Sequence, residues 1–209
     1  MDERSVVPTP TRRRQPTVRR GFRRQRGQSL VEFALVFPIF WAVLIGLVEF
    51  SFLFQSVLAV SFASRNGAVV GSEAGNAPTA DCSILHSVEG DLGAPSVPGQ
   101  IQKVDISWTD ANGVAKAGAT TTYTRSTSST IACTVNGVSY TLPYVLTING
   151  YPTASRCSTR TGCAGHSGLD TIGVQVTYAY VYHTPYGAVL GGTGMTLVRS
   201  SEMRLEPFQ

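Results

Sequence analysis

Two carboxylates lie where a charge is most expensive. Glu32 and Glu49 interrupt an apolar stretch from Leu30 to Ala63, and Phe33 to Val48 between them holds no charge at all. An acid at the centre of a membrane helix costs about 2.5–3.5 kcal/mol on insertion scales, so it needs a partner or a route to water. For Glu32, one reading is an edge position from which the carboxylate reaches the headgroups; the other is pairing with a cation inside the membrane. For Glu49, the alternatives are a marker of the far interface or a contact with another membrane helix. In either case the chemistry is charge placement, not bond cleavage.

The elements that must position these acids follow from length and charge. Spanning the hydrocarbon core takes about 20 residues, range roughly 17–25, which Leu30 to Phe54 supplies. Nine arginines and two acids precede Gln28, a net of +7, and the remaining residues carry a net of −3, making +4 for the 209 residues. A basic arm is also the footprint of nucleic-acid binding. Here it abuts an apolar run, so the positive-inside rule accounts for it: N-terminus cytoplasmic, C-terminal part exported, no nucleic-acid partner. Residues 1–27, with Pro8, Pro10 and Pro16, cannot build a core and read as disordered. They are not an ordinary secretory signal, whose apolar part is only about 7–15 residues long. Helix is expected to continue past the bilayer through Ala63, Ala68 and Val69, ending before Gly71 and the Gly75-Asn76-Ala77-Pro78 breaker. Pro38 permits a kink, and Gly46 offers a smooth patch to another helix.

Beyond the breaker the pattern changes. Asp81 to Glu89 reads as a short helix with Asp81 near its N-cap. Val104, Ile106 and Trp108 alternate with polar residues. Ile131, Cys133 and Val135 are separated from Val138–Leu142 by Asn136-Gly137, a strong hairpin signal. Val174, Val176, Tyr178, Tyr180 and Tyr182 line one face of a long strand, and a last strand runs through Thr196 to Leu205. The tyrosine stripe is more often the half-buried face of a sheet than a sugar or subunit site. Pro185 to Gly192 is an apolar loop that touches the membrane or a partner, or simply covers the core.

All four cysteines, Cys82, Cys133, Cys157 and Cys163, fall on the expected exported side, where an even count argues for disulfides. Of three possible pairings, Cys157–Cys163 with Cys82–Cys133 is favoured: the first closes a short polar loop, the second ties helix to sheet. A bridge closing a loop of about 15 residues is worth roughly 3 kcal/mol in the chain-entropy model. Cys157, Cys163 and His166 fall one short of the four ligands of a structural zinc site and are spaced too widely, so no metal is assigned. Gly165-His166-Ser167-Gly168 lacks the last glycine of a nucleophile elbow, since Leu169 stands there. A triad is also defined in space, not by neighbours in sequence. Gly191-Gly192-Thr193-Gly194 lacks the lysine of a phosphate loop. No catalytic residue and no cofactor are assigned.

The run Arg26-Gly27-Gln28-Ser29-Leu30-Val31-Glu32-Phe33 resembles the cleavage and assembly signal of type IV pilin precursors. Extended to Pro38, it is similar to the start of the TadE-like family, pseudopilin-like proteins of the tight-adherence (Flp-type) pilus assembly system. The similarity continues at Gly46-Leu47-Val48-Glu49-Phe50, at the Arg-x-Gly-Ala box of Arg65, Gly67 and Ala68, and in the tail through Val174–Tyr178 and Met203–Pro207. The resemblance implies handling by a prepilin-type peptidase: Gly27 the last leader residue, Gln28 the first mature one, and Glu32 the assembly glutamate facing the new α-amine. It also implies other pilin-like and pilus-assembly membrane proteins as partners.

The expected class is α+β: a long N-terminal membrane-spanning helix, then a disulfide-containing exported domain with a twisted antiparallel sheet. The expected segments are a basic cytoplasmic leader over 1–27, the helix with its exported extension over 28–75, and a β-rich domain over 76–209. The expected function is that of a minor pilin or pseudopilin in the cytoplasmic membrane, not an enzyme. The alternative is a permanently anchored envelope structural or binding module.

Overall fold

The computed structural model describes residues 25–110, 112–135, 137–185, 187 and 191–207. The basic leader up to residue 24, Asn136 of the hairpin turn, and Tyr186 and 188–190 of the apolar loop lie outside the described residues. The chain forms two compact units, Met1–Val43 and Leu44–Gln209. The boundary falls inside one helix, α1 (Gln25–Ala74).

In the first unit the described residues are helix with a lipid-like surface. Leu30, Phe33, Leu35 and Ile39 are all more than 60 % exposed. Phe33, Phe37 and Trp41 follow at intervals of four and meet in succession, the first pair tilted and the second stacked, with centroids 5.4 and 6.1 Å apart, as side chains on one helical face do. Pro38 is accommodated without ending the helix. By length and composition α1 contains the one candidate membrane span among the described residues.

The second unit is built on the other part of α1. Val60, Ala63, Ser64, Gly67, Ala68 and Gly71 are buried, at the three- and four-residue spacing that puts them on one side of a helix. They are small, which lets the backbone come close to its neighbours. A side chain at Gly67 would meet Val88 Cγ2 at 2.9 Å and Val174 Cγ1 at 3.2 Å; one at Gly71 would meet Ile172 and Ile84 at 3.0 Å. The helix passes Gly71 and stops at Gly75, whose φ of 55° is a left-handed value that glycine adopts without strain.

Against this face lie a short helix and a sheet. Helix α2 is Ala80–Gly90. The strands are β1 (Ile101–Thr109), β2 (Ala115–Arg125), β3 (Ile131–Val135), β4 (Val138–Leu142), β5 (Tyr144–Asn149), β6 (Thr171–Val181) and β7 (Gly194–Arg204). Five form an antiparallel sheet in the order β5-β2-β1-β6-β7, and β3-β4 is a separate hairpin. Val135 pairs with Val138 across its turn, where Gly137 has φ 79°. On β6, Val174, Val176, Tyr178 and Tyr180 are 1 % exposed or less. The tyrosine stripe is therefore the core face of the sheet.

Two strands lack the expected pattern. β2 reads Ala-Lys-Ala-Gly-Ala-Thr-Thr-Thr-Tyr-Thr-Arg and β5 is mostly exposed. Their β-branched residues favour extended backbone, but no apolar alternation marks them. Asp81 lies near the N-cap of α2, as expected, in the first turn. The N-cap of α2 is Thr79, with no side-chain cap bond. The Asp81 carboxylate turns instead to the sheet, where Tyr123 and Arg156 donate to it.

The close approach at Gly67 gives a test. Gly67→Leu should destabilise the second unit by about 2 kcal/mol or more, the cost of overpacking a filled core. Asn66→Leu next to it, at an exposed position, should leave stability within about 0.5 kcal/mol. Thermal unfolding of the full chain in detergent reads both.

Candidate functional site

The residues singled out by sequence fall in three places along α1. At its start, Gly27 has open space around it. One residue on, Gln28 Nε2 donates to Glu32 Oε1 at 3.2 Å, an exposed contact between residues four apart. The first residue after Gly27 and the first acid of the apolar run are thus side by side, as helical spacing requires. Gln28 meets Glu32 through its side-chain amide in the intact chain.

Glu49, in the second unit, is 6 % exposed. Its carboxylate accepts from the Tyr180 hydroxyl, from the His183 backbone N–H at 3.1 and 3.3 Å, and from the Thr184 backbone N–H at 2.8 Å. Phe52, one turn along the helix, meets the His183 ring edge-on at 5.1 Å. Sequence reasoning placed Glu49 at an interface or against another helix. The structure gives it partners in its own chain: the end of β6 and the loop that follows. The clue was Tyr180 in the stripe, since a buried tyrosine needs an acceptor for its hydroxyl.

The Arg65-Asn66-Gly67-Ala68 box divides by face. Gly67 is buried against α2 and β6 and Ala68 is buried too, while Arg65 and Asn66 are exposed. Asn66 Nδ2 reaches Asp91 Oδ1 at 3.3 Å.

Both bridges are present, Cys82–Cys133 joining α2 to β3 and Cys157–Cys163 closing a loop. The cysteines hold each other, so Cys157 and Cys163 are not ligands beside His166. No metal-holding cluster occurs among the described residues. His166 Nδ1 lies 2.5 Å from Asp170 Oδ1, and the ring stacks on Trp108 at 4.1 Å. Asp170, 2 % exposed, also accepts from the Tyr151 hydroxyl at 2.7 Å and the Cys157 N–H at 2.9 Å. Its role here is to hold the 151–170 loop together.

Sequence reasoning missed the buried centre of this region. Arg156, 2 % exposed, donates to Asp81, and its guanidinium lies over the Tyr151 ring at 5.1 Å. A lone arginine in a polar loop carries no sequence signal of burial. Tyr123 donates to Asp81 at 2.8 Å. Burial first, then the neighbouring Asp81, pushes the Tyr123 phenol well above its ordinary value near 10. Burial and the hydrogen bond to Asp170 do the same to Tyr151.

These features define a class: a candidate single-pass membrane protein whose long helix becomes, in its second part, the spine of a disulfide-bonded α+β unit. The model of the TadE-like protein family matches residues 27–69, the segment holding Gly27, Gln28, Glu32, Pro38, Glu49, Arg65, Gly67 and Ala68. A TadE-like segment on a candidate membrane helix supports a TadE-like, pilus-associated protein. No curated protein and no solved structure matches the chain.

Two outcomes follow. Because the folded state favours the neutral phenols, the stability they contribute is complete below the unfolded value near 10 and is lost as pH rises above it. Alkaline titration should show Tyr123 and Tyr151 ionising only as the unit unfolds; tyrosinate absorbance rising ahead of unfolding would contradict this. In Glu49→Ala, the His183 and Thr184 amides lose their acceptor. Their hydrogen exchange should quicken by about tenfold or more, with the amides of β1 unaffected.

Proposed function

We propose that the chain is a TadE-like minor pilin or pseudopilin. It sits in the cytoplasmic membrane by a single span, N-terminus cytoplasmic and sheet unit exported, and supports assembly or anchoring of a Flp-type pilus. Its domains are the basic leader 1–27, the helix 28–75 and the β-rich region 76–209. The work is positioning, without catalysis or a cofactor. A prepilin-type peptidase processes the chain after Gly27, and the helix then packs among other pilin-like and pilus-assembly proteins. The carrying observation is Glu32: an exposed carboxylate on an apolar helix, five residues after an unobstructed glycine. Once freed, the Gln28 α-amine, in the same chain or a neighbour, offsets that charge where pairing matters most.

The Gln28–Glu32 contact also favours a second reading. The side-chain amide partners Glu32 in the uncut chain, as a permanently anchored envelope module would need.

The N-terminus of the protein from its native membrane distinguishes the two. A chain beginning at Gln28, with Glu32→Ala inserting normally but losing most piliation, is the expected result. A chain still beginning near Met1 with the peptidase present, and normal piliation in Glu32→Ala, would select the anchored module.

A further inference from the structure

The face of α1 opposite its sheet-packed side carries a second pattern. Ser51, Gln55, Leu58, Phe62, Arg65 and Val69 follow one another at alternating steps of four and three, the period of a coiled-coil seam. All but the half-buried Val69 are exposed, Leu58 by 42 % and Phe62 by 60 %. The buried residues Ser56, Val60, Ala63 and Gly67 lie on the far side of the same turns. Thus, among the described residues, the seam stays exposed after the unit has folded. A span from Leu30 to Phe54 already fills a core of about 30 Å. Leu58 and Phe62 stand beyond it, where water rather than lipid would meet an uncovered phenylalanine.

The polar residues narrow the occupant. Arg65 has no ion-pair partner among the described residues. It lines a groove of about 350 Å³ with Phe62, Asn66, Val69 and Asp91. Asp91 uses Oδ1 for Asn66, while its buried Oδ2 has no partner. A cation and a carboxylate border one groove without meeting, which suits exchange between two identical grooves. Gln55 occupies a core position of the seam, where a polar residue fixes register by bonding its counterpart.

We infer that this face pairs with a second copy of the chain in a parallel two-helix coiled coil. The copies share one membrane and one direction of insertion, so the two-fold axis runs along the helices. Each Arg65 reaches Asp91 Oδ1, the oxygen in the exposed bond to Asn66, in the other groove, and Phe62 packs against Leu58 and Phe62 of its mate. The inference rests on the single-pass reading but on neither processing nor the pilus.

Single cysteines in the full-length chain, in membranes lacking the peptidase and other pilus proteins, test it. Under mild oxidation Ser51→Cys and Phe62→Cys should cross-link as dimers. Phe50→Cys, at the depth of Ser51 but about 100° round the helix, should not. Arg65→Asp should cut Phe62→Cys linking roughly tenfold, and adding Asp91→Arg should restore it. Protease resistance of the disulfide-bonded unit shows that each variant folds. Equal linking at Ser51 and Phe50 means a lipid-facing helix and overturns the inference; so does no linking at Phe62, or no rescue by the double change. The pilin reading survives any of these if the native chain begins at Gln28.

Discussion

The second unit depends on how closely α1 approaches β6 and α2. A Cβ at Gly67 or Gly71 would lie within 3.0 Å of atoms of Ile84, Ile172 or Val88. At that distance no side chain fits between the helix backbone and its neighbours. Burial of Val174, Val176, Ile84 and Val88 therefore uses the helix itself as one wall of the core. A sheet with one apolar face must cover that face, and here the cover is the continuation of the candidate membrane helix. The Arg-x-Gly-Ala box acquires a physical meaning from this: its glycine is a close-approach position, its alanine is buried, and its arginine is left exposed.

Glu49 fixes the other end of the same contact. Its carboxylate gathers a tyrosine hydroxyl and two backbone N–H groups where β6 gives way to loop. Hydrogen bonds to a charged acceptor are stronger than neutral ones, and the Tyr180 hydroxyl, buried at this contact, would be left unsatisfied without it. Apolar packing at Gly67 sets how near the sheet lies; the directional bonds at Glu49 set which part of β6 lies there. The two acids of the apolar run thus serve different ends. Glu32 is exposed, with a neutral amide beside it, whereas Glu49 is enclosed by its own chain.

The legibility of the fold followed the strength of the local pattern. Helix α1, the hairpin at Gly137 and strands β6 and β7 were readable because apolar spacing, a turn glycine and β-branched runs agree in each. β2 and β5 were not: β2 is buried largely through threonines, and β5 lies at a sheet edge with most of its side chains exposed. The place of Asp81 near the start of α2 was legible, but its partner was not. An acid in a first turn suits the helix terminus, but a buried arginine from a distant loop is a stronger partner, and nothing local announces it. The cysteine pairing was accessible to simple argument because it joins the elements that most need joining.

For the candidate site, position was legible and partnership was not. Glu32 and Glu49 stood out by residue type and spacing, since charges in an apolar helix are conspicuous, whereas Gly27, Gln28 and Arg65 were singled out through the family resemblance. What each one meets is a long-range matter. Glu49 finds donors 131 to 135 residues away, whereas Gln28 and Glu32 meet within a single turn. A helix offers one stripe to its own sheet and must present the other to something else. With small residues and Glu49 assigned to the sheet, the arginine, the glutamine and the large apolar side chains that remain belong to what surrounds the chain.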